Sequence, residues 1–98
     1  MKKLFDAITA DDTTTDNNFA ADGARRLTVH AFGTFGGGTV TVYLSANGTS
    51  NGVAPTELIF TADGIQTLDV ADGITIWATL SGATAPTISL FIAGIGND

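Results

Sequence analysis

Ile74-Thr75-Ile76-Trp77-Ala78-Thr79-Leu80, a break at Ser81-Gly82-Ala83-Thr84-Ala85-Pro86, then Thr87-Ile88-Ser89-Leu90-Phe91-Ile92: this stretch decides the fold. Ile74, Ile76, Ala78 and Leu80 alternate with Thr75, Trp77 and Thr79. Ile88, Leu90 and Ile92 alternate with Thr87, Ser89 and Phe91. A period of two residues belongs to a strand, whose successive side chains leave by opposite faces. The Gly- and Pro-bearing break reads as the loop of a hairpin. Both faces of these strands carry bulk, yet in a two-layer sandwich only one face of each strand meets the core. Phe35, Tyr43, Ile59, Trp77 and Phe91 are therefore candidates for a contact surface. The competing reading is that they cover the rim of the core or pack beneath the amino-terminal segment.

The same alternation runs through the rest of the chain. Leu27, Val29 and Ala31 oppose Arg26, Thr28 and His30, and Val40, Val42 and Leu44 oppose Thr39, Thr41 and Tyr43. Between them Gly33-Thr34-Phe35-Gly36-Gly37-Gly38 supplies glycines that accept positive φ, and the unit reads as another hairpin. A loop with two Asn-Gly steps spans Ala46 to Gly52. Strands are expected over Thr56 to Thr61, with Leu58 and Phe60 on one side, and over Ile65 to Val70. Ala-Asp-Gly occurs at 21–23, 62–64 and 71–73, as reused turn chemistry without a regular repeat. Met1 to Ile8 is amphipathic, either an edge strand or an arm that docks on a neighbour through Leu4, Phe5 and Ile8. Residues 9–18 are polar and turn-forming, and Gly94 to Asp98 reads as a flexible or docking tail. The expected fold is all-β: one sandwich or jelly-roll-like barrel over 24–98, with about six to eight antiparallel strands. Residues 1–23 precede it as an arm and polar loop.

Composition limits the function. The chain has 98 residues, enough for one domain. Hydrophobic residues make up 44% and charged ones 14%, against about 25% charged in an average soluble domain, so disorder is not expected. The four cations are Lys2, Lys3, Arg25 and Arg26, so Leu27 to Asp98 contains neither lysine nor arginine. Sheets that stand alone usually guard their edges with Lys, Pro, bulges or inward charges. The shortage of such guards suggests a module built for assembly. A net charge of -6 opposes binding to phosphate backbones, so no nucleic-acid partner is expected. No stretch approaches a membrane span, and Asp6 interrupts any secretion leader. The absence of cysteine removes disulfides, zinc-thiolate sites and thiol nucleophiles.

Residues suited to catalysis are sparse. His30 is the only histidine, and the pattern places it beside Arg26 and Thr28 without a partner for acid–base work. No Gly-x-Ser-x-Gly surrounds any serine. No Lys follows the glycine-rich 33–38 segment, as a phosphate loop requires. Asp11, Asp12, Asp16, Asn17 and Asn18 offer hard oxygen ligands but lack calcium-loop spacing, which favours a solvated loop. The expectation is a non-enzyme without cofactor or metal. Trp77 and Tyr43 are also weighed as a sugar-stacking pair, with protein packing the stronger reading.

From Ala31 onward the chain resembles small β-sandwich proteins encoded among the virion structural genes of tailed bacteriophages. The resemblance rests on Gly33-Thr34-Phe35-Gly36-Gly37-Gly38-Thr39-Val40-Thr41-Val42-Tyr43-Leu44-Ser45, on the loop Ser45 to Gly52, and on Ala78-Thr79-Leu80-Ser81-Gly82-Ala83-Thr84-Ala85-Pro86-Thr87-Ile88-Ser89-Leu90. It covers about residues 31–93. It implies a non-enzymatic virion part, foremost a capsid decoration (cement) protein on the capsid surface. Its partners would be the major capsid protein and other copies of itself, as a trimer. A head- or tail-fibre component that binds glycan or receptor is the alternative. The expected interface residues are Leu4, Phe5, Ile8, Phe35, Tyr43, Trp77 and Phe91.

Overall fold

A computed structural model describes residues 1–14 and 17–94. The strands are β1 (Lys2–Ile8), β2 (Asp12–Thr13), β3 (Phe19–Ala20), β4 (Arg25–Thr34), β5 (Thr39–Ser45), β6 (Ile59–Phe60), β7 (Gly64–Val70), β8 (Thr75–Ser81) and β9 (Thr87–Ala93). The long ones lie where the alternation places them, but of the strand expected over Thr56 to Thr61 only β6 forms, and β3 was not expected. Among the described residues there is no α-helix, only a 3-10 turn at Thr56–Leu58. The front sheet has the order β1-β9-β4-β7. The back sheet runs β2-β8-β5-β6, with β3 also on the outer side of β8. All pairings are antiparallel. The all-β sandwich expected from the sequence is the fold.

The two sheets close on one apolar layer. Leu27, Val29 and Ala31 of β4 and Ile88, Leu90 and Ile92 of β9 face Val40 and Val42 of β5 and Ile76, Ala78 and Leu80 of β8, all buried. Removing any large member of this layer costs the transfer energy and the cavity left behind, about 2–5 kcal/mol for Leu or Ile to Ala.

The strand partners differ from the expected ones. β4 and β5 do not form a hairpin, because β4 pairs with β7 and β9 while β5 pairs with β6 and β8. β8 and β9 likewise lie in different sheets. Both glycine-bearing loops are arches that carry the chain from one layer to the other. They rest on each other, Thr84 donating its amide to the Gly36 carbonyl at 2.9 Å. Gly36 is required there, since it holds φ +60 and a Cβ would meet the Thr84 carbonyl oxygen at 2.1 Å. Alternation fixes which face a residue takes, but a loop longer than a tight turn leaves the pairing open.

The amino-terminal segment is part of the sandwich. β1 is the edge strand beside β9, so the edge-strand alternative holds and residues 1–23 are not a free arm. Register shifts lie between Lys3 and Phe5 and between Phe5 and Ile8. Such bulges let neighbouring residues turn the same way, and both Leu4 and Phe5 are buried. Asn17 joins the layers by donating from its amide nitrogen to the Lys3 and Leu4 carbonyls, each at 3.2 Å. Asp11 clasps the far arch, accepting from the amides of Gly82 and Ala83 at 3.0 Å each. Asp11 and Asn17 thus fasten the segment to the sandwich, while Asp11, Asp12, Thr13 and Asn17 stay exposed to solvent. Two Ala-Asp-Gly turns lock together in the same way. Gly73 donates to the Ala21 carbonyl at 2.9 Å, and Gly23 to the Asp72 carboxylate at 2.7 Å. The third lends Asp63 to the Gly33 amide at 3.0 Å.

Candidate interaction surface

Four of the sequence-derived interface residues belong to the protein's own interior. Leu4, Phe5 and Phe35 sit in the core cluster, and Ile8 packs against it. The bulges of β1 and the arch after β4 turn these side chains inward, which a regular strand pattern does not anticipate. Trp77 keeps its expected face, the outer one of the back sheet, yet is only 6% exposed. It stacks on Tyr43 at 5.6 Å between ring centroids and 19° between planes. The loop after β5 returns over it to the Leu44–Val53 bridge. Gly52 lies so close that a Cβ would sit 2.4 Å from the indole ring. Tyr43 and Phe91 remain half-buried at the surface.

The outer face of the front sheet has no such cover among the described residues. Register places Lys3 beside Phe91, Phe91 beside His30, and His30 beside Ile65, one row across β1, β9, β4 and β7. Phe32, two residues beyond His30 on β4, adds its ring to the row. His30 and Phe32 lie 4.6 Å apart, and Phe32 meets Phe91 edge-on at 5.1 Å and 87°. Such edge-to-face pairs gain about 0.5–1.5 kcal/mol beyond area burial. The Lys3 amine stands 5.2 Å over the Phe91 ring. Ile65 ends the row, 64% exposed. Thr28 and Thr67 share a hydroxyl hydrogen bond of 2.9 Å on one flank of this apolar band.

Charges on this face are paired. Lys3 is 3.8 Å from Asp6, and the Arg26 Nε donates to Asp69 Oδ1 at 3.0 Å. That hydrogen bond, and then the charge attraction, raise the Arg26 pKa and lower that of Asp69. Both groups are open to water, so the pair contributes little to stability.

Sequence reading missed Phe32, Ile65 and the aromatic setting of His30. The signal was present: Phe32 continues the Thr28, His30 parity that the alternation had already assigned outward. For metal, Asp11 is engaged by Gly82 and Ala83, Asp12 accepts from the Thr13 amide, and Asp16 lies outside the described residues. No group of three His, Cys, Asp or Glu converges among the described residues. The tail beyond Gly94 also lies outside the described residues.

Comparison with family models, curated proteins and solved structures returns no match.

Proposed function

We propose that this chain is a structural, non-enzymatic virion part, a capsid decoration protein that binds the major capsid protein and stiffens the shell. One observation carries the reading: the His30–Phe32–Phe91 cluster with Ile65, an aromatic-rich row on the outer face of the front sheet that no described segment covers. Monomers seldom leave such patches without a use, and a few aromatic anchors dominate the energy of a protein interface. The clasped loops suit a mechanical task, since Asp11, Asn17, Asp63 and Asp72 tie distant segments together. A rigid insert loses little entropy on docking, so more of its contact energy survives as affinity. Many copies bound to one shell stabilise the assembled state by mass action.

The sugar-binding alternative loses the stacking pair weighed for it, because the loop ending at Gly52 covers Trp77. The test uses particles with and without the protein, heated while DNA release is followed. Decorated particles are expected to hold their DNA to a higher temperature. Identical release curves at full occupancy would refute the proposal.

A further inference from the structure

The sandwich has four lateral edges, and three are blunted. β1 is bulged twice and carries Lys2 and Lys3, and its Lys3 and Leu4 carbonyls are taken by Asn17. β2 and β3 are two residues each and interrupted, and β6 is two residues long. Short strands, bulges and lysines are the usual guards against strand addition. β7 has none of them. It runs unbroken for 7 residues, keeps regular register with β4 from Val70 to Gly64, and contains no Pro, Lys or Arg. Its ladder partner lies on one side only.

We infer that β7 pairs antiparallel with β7 of a second copy of this chain, about a two-fold axis at Thr67, joining the two front sheets into one. The occupant follows from the strand's own chemistry. Outward residues of β7 are Ile65, Thr67 and Asp69, and a two-fold axis normal to the sheet must set outward residues against outward residues. Centring at Thr67 pairs the whole strand with itself, Gly64 opposite Val70 and Ile65 opposite Asp69 of the second copy. Thr67 then meets its own equivalent, a favourable cross-strand pair. Moving the axis to Gln66 would set Asp69 against Asp63 of the second copy, like charges face to face. The Thr67 register therefore combines the longest ladder with separated carboxylates.

This inference goes beyond the proposed function, for it concerns the isolated chain and holds on or off a capsid. A two-fold pair replaces the trimer expected from the resemblance. The test is a single cysteine at position 67 in a chain that has none. Opposed residues in an antiparallel pair lie about 4.5–5.5 Å apart at Cα, within disulfide range. Mild oxidation of T67C is expected to give a covalent dimer, whereas a Thr79→Cys control on the back sheet stays monomeric. Without oxidation, the unsubstituted chain is expected to sediment as a dimer. T67K, which faces two ammonium groups across the axis at an exposed site, is expected to sediment as a folded monomer. A monomeric unsubstituted chain, a trimer, or equal cross-linking at 67 and 79 would overturn the inference. Particle binding by a strictly monomeric chain would overturn it while leaving the proposed function standing.

Discussion

On the outer face of the back sheet, Trp77 and Tyr43 stack beneath a loop of their own chain. On the outer face of the front sheet, Phe32 and Phe91 meet edge-on with His30 and Ile65 beside them, and among the described residues no loop returns over them. The two faces start from similar residues. What separates them is the route of the connection after each strand. The chain leaving β5 turns back within its own sheet, through Val53 to β6, and passes over the indole on the way. The chain leaving β4 crosses to the other layer, and its arch packs on the 81–86 loop instead. Covered aromatics add to stability, while uncovered ones are free to bind.

That contrast breaks most visibly at Trp77. Trp77→Ala empties a covered site and is expected to cost about 3–5 kcal/mol in chemical denaturation. A loss below about 1 kcal/mol would mean that the loop does not seal the ring. Gly52→Ala sharpens the same point, because its Cβ would sit 2.4 Å from the indole. The loop must lift or the ring must shift, an overpacking cost of about 1–3 kcal/mol. Fluorescence of the single tryptophan should move to the red as water reaches it. An unshifted spectrum with unchanged stability would contradict the close approach.

On the front face the same chemistry predicts the reverse. Phe32→Ser with Phe91→Ser should cost less than Trp77→Ala, about 1–2.5 kcal/mol, because neither ring lies in the apolar layer between the sheets and what is lost is their surface contacts with each other, His30 and Lys3. A larger loss would place these rings in the fold's own core. The smallest effect belongs to Arg26 and Asp69. Asp69 has a lowered pKa in the fold, so its contribution is present above the ordinary carboxylate pKa and fades as pH falls through the folded value. At low salt, Arg26→Gln should lower the melting temperature slightly at neutral pH and not at all in strong acid. Salt should erase the difference, and an effect that grew with salt would rule out the ion pair as its source.

Alternation in the sequence revealed the strands and most of the apolar layer. Leu27, Val29 and Ala31, and Ile88, Leu90 and Ile92, lie inward as period two requires. Strand partners were not legible, because β4 pairs with β7 and β9 far along the chain and its own loop does not dictate that choice. Leu4 and Phe5 were misread as an interface because consecutive burial depends on a bulge, which no residue type announces. Of the outward aromatics, the alternation gave the face of Trp77 and Phe91 correctly but not the cover. Whether a ring is roofed depends on a loop approach that Gly52 permits and that local pattern does not encode.

The direct test of the open face as a docking surface is occupancy on protein-depleted particles, measured by titration with the unsubstituted chain and with the folded Phe32→Ser, Phe91→Ser chain. The unsubstituted chain should saturate the shell, and the double variant should fail to bind at the same concentration. Equal occupancy by both would show that the aromatic band is not what the particle holds.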